Sequence, residues 1–271
     1  VMDIKTASVK ELYCDMSEKW EILSELFSKQ DERGKPRLAL FNIDYGNNAQ
    51  CENTFFRRLK FFAGFECMPG RIPFEDKKDI FETFLKYAPI AGYNHYYNLI
   101  AINRQAMPQE DYEFAMPEEV THSIVQIKED IIPVDAIATA AFNGYSSYFG
   151  HKIHSALKLL GIEEFDVEID EFFPPLGQIH ILGKDADKYK CSLDDAVNSK
   201  TYFQPEKTKE ERAKDISGLV CYLPALAGFM LVRQYKNDVR ALLREHPSLT
   251  NLDGQQVWES YCKPLLMHGK L

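Results

Sequence analysis

The stretch HSALKLLGIEEFDVEID, residues 154–170, decides the predicted fold. Its second half alternates apolar and acidic side chains, with Phe165, Val167 and Ile169 on one face and Asp166, Glu168 and Asp170 on the other. Alternation with a period of two is typical of a half-buried strand. The preceding apolar segment and the tight connection at IEEF complete a β-hairpin pattern, although HKIHSALKLLG taken alone is equally compatible with a helix. In the hairpin, antiparallel pairing brings His154, at the start of the first strand, close to Asp170, near the end of the second.

A second stretch, NNAQCENTFFRRLKFFAG at residues 47–64, places Cys51 at the start of a predicted helix. Phe55, Leu59 and Phe62 recur on one helical face, and the closing glycine is a suitable stop. A helix N-terminus and a neighbouring imidazole both lower the pKa of a thiol and so favour the nucleophilic thiolate. Cys51 is therefore a candidate nucleophile, and burial as a small core side chain is the competing interpretation.

Together the two stretches predict a Cys-His-Asp triad. A histidine that acts as a base needs a third group to fix its orientation, and a carboxylate across a hairpin can do this. We expect Cys51 to attack, His154 to transfer the proton and Asp170 to orient His154. The chain order, with Cys on a helix and the other two residues on adjacent strands, is that of papain-like folds.

The supporting and alternative site residues are Asn47, Asn48, Gln50, His151, Asp166 and His180. The three that precede Cys51 can donate to an oxyanion beside its backbone N–H, or they can simply cap the helix. Asp166 competes with Asp170 for the orienting role, and His151 is interpreted as a loop or supporting residue. The pattern HILGKDADKYK places His180 on a strand, as the alternative base if the hairpin is misread.

The stretch CENTFFRRLKFFAG is similar to the nucleophile helix of the butirosin-biosynthesis acyltransferase family (N-terminal domain), whose pattern is Cys-Glu-x-Thr-x-x-Arg-x-Leu closing on Gly. The matching residues here are Cys51, Glu52, Thr54, Arg57, Leu59 and Gly64. The segment 131–173 resembles the second block of the same family, and its strand pair also resembles bacteriocin-processing peptidases of export transporters. The resemblance covers about residues 40–195. Gln50 stands where family members carry His, and ECMPGRIPFED stands where they have a Gly-rich loop.

This resemblance implies a papain-like fold that moves an acyl or aminoacyl group from a carrier-protein thioester to an amine, through a thioester on Cys51, in specialised-metabolite biosynthesis. The implied partners are an acyl carrier protein or another acyl-thioester donor, and an amine acceptor. No cofactor and no metal are expected. The alternatives are a non-catalytic binding or scaffold protein on a papain-like fold, and a cysteine peptidase.

Two further motifs give weaker alternatives. Tyr148 and Lys152 form the Y-x-x-x-K pair of short-chain dehydrogenases, but DYGNNAQ after the first predicted strand lacks the glycines that let a dinucleotide pyrophosphate approach. His151 and His154 could be two metal ligands on a helix, with His180 or Cys191 completing the set. No H-E-x-x-H pattern supports such a metal-dependent enzyme.

The composition limits the class of partner. The 271 residues carry a formal net charge of −9, which disfavours binding to a nucleic-acid backbone. No apolar run approaches the roughly 20 residues that span a bilayer, and the first residues lack the pattern of a secretory signal, so we expect a cytoplasmic protein without membrane contact. The six cysteines are scattered without a C-x-x-C pair or zinc-site spacing, and we expect most of them to be free thiols.

The whole chain is predicted to be α+β. A papain-like catalytic domain, with the nucleophile helix packed on an antiparallel sheet, is expected over residues 1–200, and a helical C-terminal region over 201–271. Periodicity predicts helices over 8–30, 75–88, 117–129 and 254–266, strands over 38–43 and 96–104, and a segment over 131–142 that begins as a strand. Residues 206–246 are predicted as one or two helices interrupted near Pro224. The C-terminal region could cover the active site, bind a carrier protein or form a homodimer.

Overall fold

The structure is a computed structural model, and it describes residues 3–29, 33–42, 62–87, 90–127, 130–133, 161, 164–183 and 208–268. The chain forms two compact units, Val1–Ile124 and Val125–Leu271. Each unit contains helices and strands, so the α+β class predicted from the sequence is confirmed. The predicted domain boundary near residue 200 lies outside the described residues and stays a prediction.

The first unit opens with helix α1, Val9–Phe27, which confirms the helix predicted over residues 8–30. The Ser8 hydroxyl accepts from the backbone N–H of Glu11 at 3.2 Å, and the Glu11 carboxylate accepts from the backbone N–H of Ser8 at 2.8 Å. This capping box satisfies two backbone donors that a helix start otherwise leaves unpaired. The apolar face that the periodicity predicted is buried, through Leu12, Met16, Leu23 and Phe27.

A four-stranded sheet forms the centre of the first unit. Its strands are β1 (Arg37–Phe41), β2 (Glu66–Met68), β3 (Ala91–Asn94) and β4 (Leu99–Asn103), in the order β2-β1-β4-β3. The central strands β1 and β4 are parallel, and each outer strand is antiparallel to its neighbour. The sheet is therefore mixed, and the predicted packing of the nucleophile helix on an antiparallel sheet stays a prediction. The apolar sequences LALF and LIAIN fit a central pair that is covered on both faces.

Two helices complete the described part of the first unit. Helix α2, Phe74–Tyr87, confirms the prediction over 75–88. Helix α3 begins at Gln109 rather than at Pro117 and ends at Ile124. The sequence prediction began this helix at Pro117, eight residues too late. The structure instead keeps this proline inside the helix, where it is buried.

The last residues of the predicted nucleophile helix are described. Phe62 and Ala63 are helical and Gly64 lies in a turn, so the helix ends where the sequence placed its stop. The Phe62 ring stacks on that of Phe74 with 4.7 Å between centroids, and Phe62 packs against the buried core under the sheet. The apolar face of this segment therefore meets the core at its C-terminal end. Residues 51–61 lie outside the described residues.

In the second unit, strand β5 (Asp130–Pro133) pairs antiparallel with strand β6 (Glu164–Val167), with Ile131 opposite Asp166. The strand expected at the start of 131–142 is thereby confirmed. The segment 154–160, which the sequence pairs with β6, lies outside the described residues. The chain leaves β6 through a 3-10 turn over Ile169–Phe172 and enters helix α4, Pro174–Leu182.

The C-terminal residues are helical, as predicted. Helix α5, Lys209–Gln234, begins with a capping box between Thr208 and Glu211 and runs through Pro224 without a break, so the predicted interruption there is wrong. The break comes after Gln234, where Lys236 and Asn237 adopt φ of 53° and 65°. These left-handed conformations cannot continue a right-handed helix.

After this break come helix α6, Val239–Glu245, and a continuous helical run. The run contains helix α7 (Gly254–Val257), one π-helical segment (Trp258–Cys262) and helix α8 (Lys263–His268). A single π-helical turn inserted in an α-helical run recurs at functional sites. Within the described ranges, no helix combines the length and apolarity needed to cross a bilayer.

Helix α5 and the 3-10 turn approach each other at Gly228. A Cβ atom built on Gly228 would lie 2.1 Å from the carbonyl oxygen of Phe172, far inside van der Waals contact. The obstacle is backbone, so it cannot move aside as a side chain would. A glycine is therefore required here for the helix to pack against the turn.

We expect Gly228→Ala to destabilise the protein by about 3 kcal/mol, because the new methyl group forces the two backbones apart. Helix propensity alone would predict the opposite sign, a gain of about 1 kcal/mol. Urea unfolding of both proteins checks the difference. Gly183→Ala is the matched control: Gly183 has a φ of 59° with open space around it, and its cost should be only about 1 kcal/mol. A stabilised Gly228→Ala would contradict the close approach.

Candidate functional site

The predicted site residues divide into those that the structure describes and those that it does not. Outside the described residues lie Cys51, His154, Asn47, Asn48, Gln50 and His151. Inside them lie Asp166, Asp170 and His180, all in the second unit. The proposed contact between the thiol, the imidazole and a carboxylate therefore stays a prediction.

Asp170 lies in the 3-10 turn that follows β6. Its side chain is half-buried, while its neighbours Ile169 and Phe172 are fully buried. The Asp170 carbonyl accepts from the backbone N–H of Phe173 at 3.1 Å, and the Phe172 ring contacts that of Tyr261 at 6.0 Å between centroids. Buried neighbours thus fix the backbone of the turn, while Asp170 itself is only half-buried.

The two alternative residues have different positions. Asp166 lies within β6, opposite Ile131. His180 lies in the last turn of α4 and is half-buried, so the prediction that it sits on a strand is wrong. Two prolines at the first helical positions and Gly183 at the left-handed C-cap define this helix. The apolar run between them has no clear period, which is why the pattern could be taken for a strand.

Three of the six thiols are described, and all three are free. Cys14 is exposed, Cys67 is half-buried and Cys262 is buried. Burial raises the pKa of the Cys67 thiol, and nearby Arg37 and Lys77 offset part of that rise. Burial raises the pKa of Cys262 much further. Neither of these two buried thiols is poised to form a thiolate, which is the state a nucleophile needs.

A hydrogen-bonded cluster around His246 was not anticipated from the sequence. The Tyr235 hydroxyl lies 2.8 Å from a Glu245 carboxylate oxygen and 2.9 Å from Nε2 of His246, and the Tyr261 hydroxyl lies 3.1 Å from Nδ1. Tyr235 follows α5, His246 follows α6, and Tyr261 belongs to the π-helical segment. The cluster therefore joins the ends of α5 and α6 to the π-helical segment of the second unit. No local pattern could reveal it, because these partners are brought together only by the fold.

The chemistry of these groups determines which atom donates in each hydrogen bond of the cluster. A carboxylate only accepts, so Tyr235 donates its single proton to Glu245. The Tyr235 oxygen must then accept from His246, which places a proton on Nε2. In neutral His246 the other ring nitrogen, Nδ1, accepts from the Tyr261 hydroxyl. The hydrogen bond to Glu245 also raises the pKa of Tyr235, and burial raises the pKa of Tyr261, so both tyrosines keep their protons.

A cavity of about 640 Å³ lies along one face of α1 in the first unit. Its described lining residues are Trp20, Glu21, Ser24, Glu25 and Ser28. The Lys35 ammonium group stands 5.6 Å from the Trp20 ring centre and 2.8 Å from Glu21 Oε1. These lining residues include carboxylates, hydroxyls and an indole but no thiol or imidazole. The described lining therefore supplies neither the nucleophile nor the base of the predicted triad.

Comparisons of the chain with protein-family models, with curated proteins and with solved structures find no match. Support for a function therefore comes from the residues themselves, from the resemblance that their motifs carry and from the geometry of the described elements.

The tautomer of His246 that these hydrogen bonds require can be measured. We expect nitrogen NMR of the imidazole to show the Nε2–H tautomer in neutral His246, since Glu245 fixes the Tyr235 proton. Tyr235→Phe should weaken this preference by removing the acceptor at Nε2. Tyr93→Phe, which removes a hydroxyl that bonds to Asn98 instead, is the control and should leave the tautomer unchanged. A dominant Nδ1–H tautomer in the unaltered protein would contradict the assignment.

Proposed function

We propose that this protein is a cysteine-dependent acyl or aminoacyl transferase, or a thioester-cleaving enzyme, with a papain-like catalytic part. The observation that carries the proposal is the position of Cys51, which opens an apolar-faced segment preceded by polar capping residues. The described end of that segment supports the helix, because Phe62 and Ala63 are helical and Phe62 packs into the core. A thiol at a helix N-terminus gains thiolate character from the helix dipole.

The proposed reaction has two steps. The Cys51 thiolate attacks the carbonyl carbon of an acyl thioester, a bond forms between its sulfur and that carbon, and the donor thiol leaves with a proton from protonated His154. An amine, or water in the hydrolytic reaction, then attacks the acyl-Cys51 thioester. Neutral His154 removes the proton of the attacking group and Cys51 leaves as the thiolate. Backbone and side-chain donors at Asn47, Asn48 and Gln50 would hold the oxyanion in both steps.

Asp170 is the proposed orienting residue for His154. Its support is a backbone anchored by buried neighbours and a carboxylate that is only half-buried. Asp166 is the alternative orienting residue. It lies in β6, directly before buried Val167, so its position is set by the pairing of that strand. Under this proposal the acyl donor is a carrier-protein thioester or a related thioester, and the acceptor is an amine.

A non-catalytic binding or scaffold protein is the second candidate, and Gln50 favours it, because the resembled family carries His at that position. A cysteine peptidase would use the same three residues on an amide. Thiol reactivity separates the scaffold from both enzymes, since a scaffold has no reason to keep Cys51 ionised.

We expect iodoacetamide at pH 6 to label Cys51 before the other thiols of the folded protein. At this pH a thiol with a pKa of ~8.5 is about 0.3% thiolate, whereas one with a pKa of ~6 is about half thiolate. A less basic thiolate is also less nucleophilic, so the net gain in rate is roughly tenfold. Peptide mass spectrometry over a time course measures each site.

The described thiols supply the controls for this labelling. Exposed Cys14 sets the rate of an accessible thiol, half-buried Cys67 should be slower, and buried Cys262 should stay unlabelled until the protein unfolds. If Cys51 reacts no faster than Cys14, the nucleophile assignment is wrong.

Substitutions test the remaining roles. With a small acyl thioester as substrate, we expect His154→Gln and Asp170→Asn to lower the turnover rate by about 10²- to 10⁴-fold, as loss of a base or of its orienting group does in other triads. His180→Gln and Asp166→Asn are the matched controls and should keep most of the activity. The reverse pattern would move the base to His180, or the orienting role to Asp166.

A further inference from the structure

Arg104 occupies a defined position at one edge of the sheet in the first unit. It directly follows β4, and its backbone N–H donates to the carbonyl of Phe41, the last residue of β1, at 2.9 Å. Because β1 and β4 are parallel, their carboxyl ends lie at the same edge. Ligands of sheets with parallel strands bind beyond this edge, where loops rather than strands continue the chain.

The turn that carries Arg104 is held by several hydrogen bonds. The carbonyl of Asn103 accepts from the backbone N–H groups of Ala106 and Met107, at 3.2 and 2.9 Å. The fully buried Asn103 side chain accepts from the backbone N–H of Gln105 at 3.2 Å. The backbone of Arg104, from which its side chain extends, is therefore fixed by the fold. This position does not require the guanidinium group to have a hydrogen-bond partner.

The guanidinium group of Arg104 is buried along the edge formed by Nε and Nη2. Nε and Nη2 are both shielded from solvent, and neither has a hydrogen-bond acceptor in the part of the chain that the structure describes. These two nitrogens direct parallel N–H bonds that match the two oxygens of a carboxylate or phosphate. A guanidinium stays charged at any pH the protein encounters. Burying it without an anion is costly, so such groups are normally paired.

The other arginines of this unit that the structure describes do not share this state. Arg33 donates to the carbonyl of His95 at 2.6 Å, and Arg37 donates to the carbonyl of Tyr97 at 3.4 Å. Arg71 is exposed and can be hydrated. Arg104 therefore combines a fixed position with a buried and unsatisfied donor pair.

We propose that Arg104 is an oxyanion-binding residue, which takes a carboxylate or phosphate group of a small ligand through its Nε–Nη2 edge. The residue is half-buried as a whole, so part of it is open to solvent while the Nε–Nη2 edge is shielded. The net charge of −9 disfavours non-specific anion binding, so saturable binding would report a specific site. The site does not depend on Cys51 being a nucleophile, and it is present in Cys51→Ser.

The test uses the full chain, labelled with ¹⁵N-arginine and titrated separately with inorganic phosphate and with acetate at constant ionic strength. Arg104→Lys identifies the Nε–Hε signal of Arg104 by its loss. We expect that signal to shift and saturate with phosphate, with acetate or with both, and the anion that saturates it identifies the group recognised. The Arg71 signal should not move. An Arg104 signal unmoved by both anions would overturn the proposal.

Variants give a second measurement. In thermal unfolding titrated with the same anion, Arg104→Met should bind it about 10- to 100-fold more weakly than the unaltered protein, because hydrogen bonds to a charged group are lost. Arg104→Lys keeps the charge but cannot make two parallel hydrogen bonds to one anion. Its affinity should therefore lie between those of Arg104→Met and the unaltered protein. The exposed-site control Arg71→Met should bind as the unaltered protein does. If Arg104→Met binds equally well, the anion sits elsewhere. If that variant does not fold, the NMR titration of the unaltered protein decides alone.

Discussion

The close approach of Gly228 to the carbonyl oxygen of Phe172 is the constraint on which the second unit depends. It lets helix α5 lie directly against the 3-10 turn over Ile169–Phe172, and this turn carries Asp170. Fully buried Phe172 is also in ring contact with Tyr261 of the π-helical segment. One backbone contact therefore connects the longest described helix, the end of β6 and the C-terminal helical run. Asp170 is half-buried because its neighbours are the anchors of this packing.

In the first unit the corresponding constraint is the parallel pairing of β1 with β4. The two strands are buried on both faces and place their carboxyl ends at one edge. Arg104 follows one of these strands, and the sequence that leads to Cys51 follows the other. The proposed oxyanion site and the proposed nucleophile thus come from the two chain segments that leave the same pair of strands.

Elements with strong local signals were predictable from the sequence. The Ser8 and Glu11 capping box and the apolar spacing after it place α1. The alternation from Phe165 onward places β6, but the strand ends at Val167, and Ile169 and Asp170 lie in the 3-10 turn. Predictions based on single residues were less secure. Pro117 and Pro224 were taken as helix boundaries, yet both lie inside helices, because burial against the rest of the unit outweighs the local cost of proline. His180 was misplaced because an apolar run between prolines and glycine has no clear period. The position of Arg104 and the hydrogen-bond partners of His246 are set by other parts of the chain. No local sequence pattern could therefore have predicted them.

The central claim is that Cys51 forms a covalent thioester, and intact-protein mass spectrometry after rapid mixing with a small acyl thioester tests it most directly. The account predicts one added acyl group per chain, mapped by peptide analysis to Cys51 and absent from Cys51→Ala. The adduct should persist longer in His154→Gln if any forms, because the imidazole also removes the proton of the attacking group in the second step. An unmodified Cys51, or an acyl group carried equally by exposed Cys14, would contradict the account.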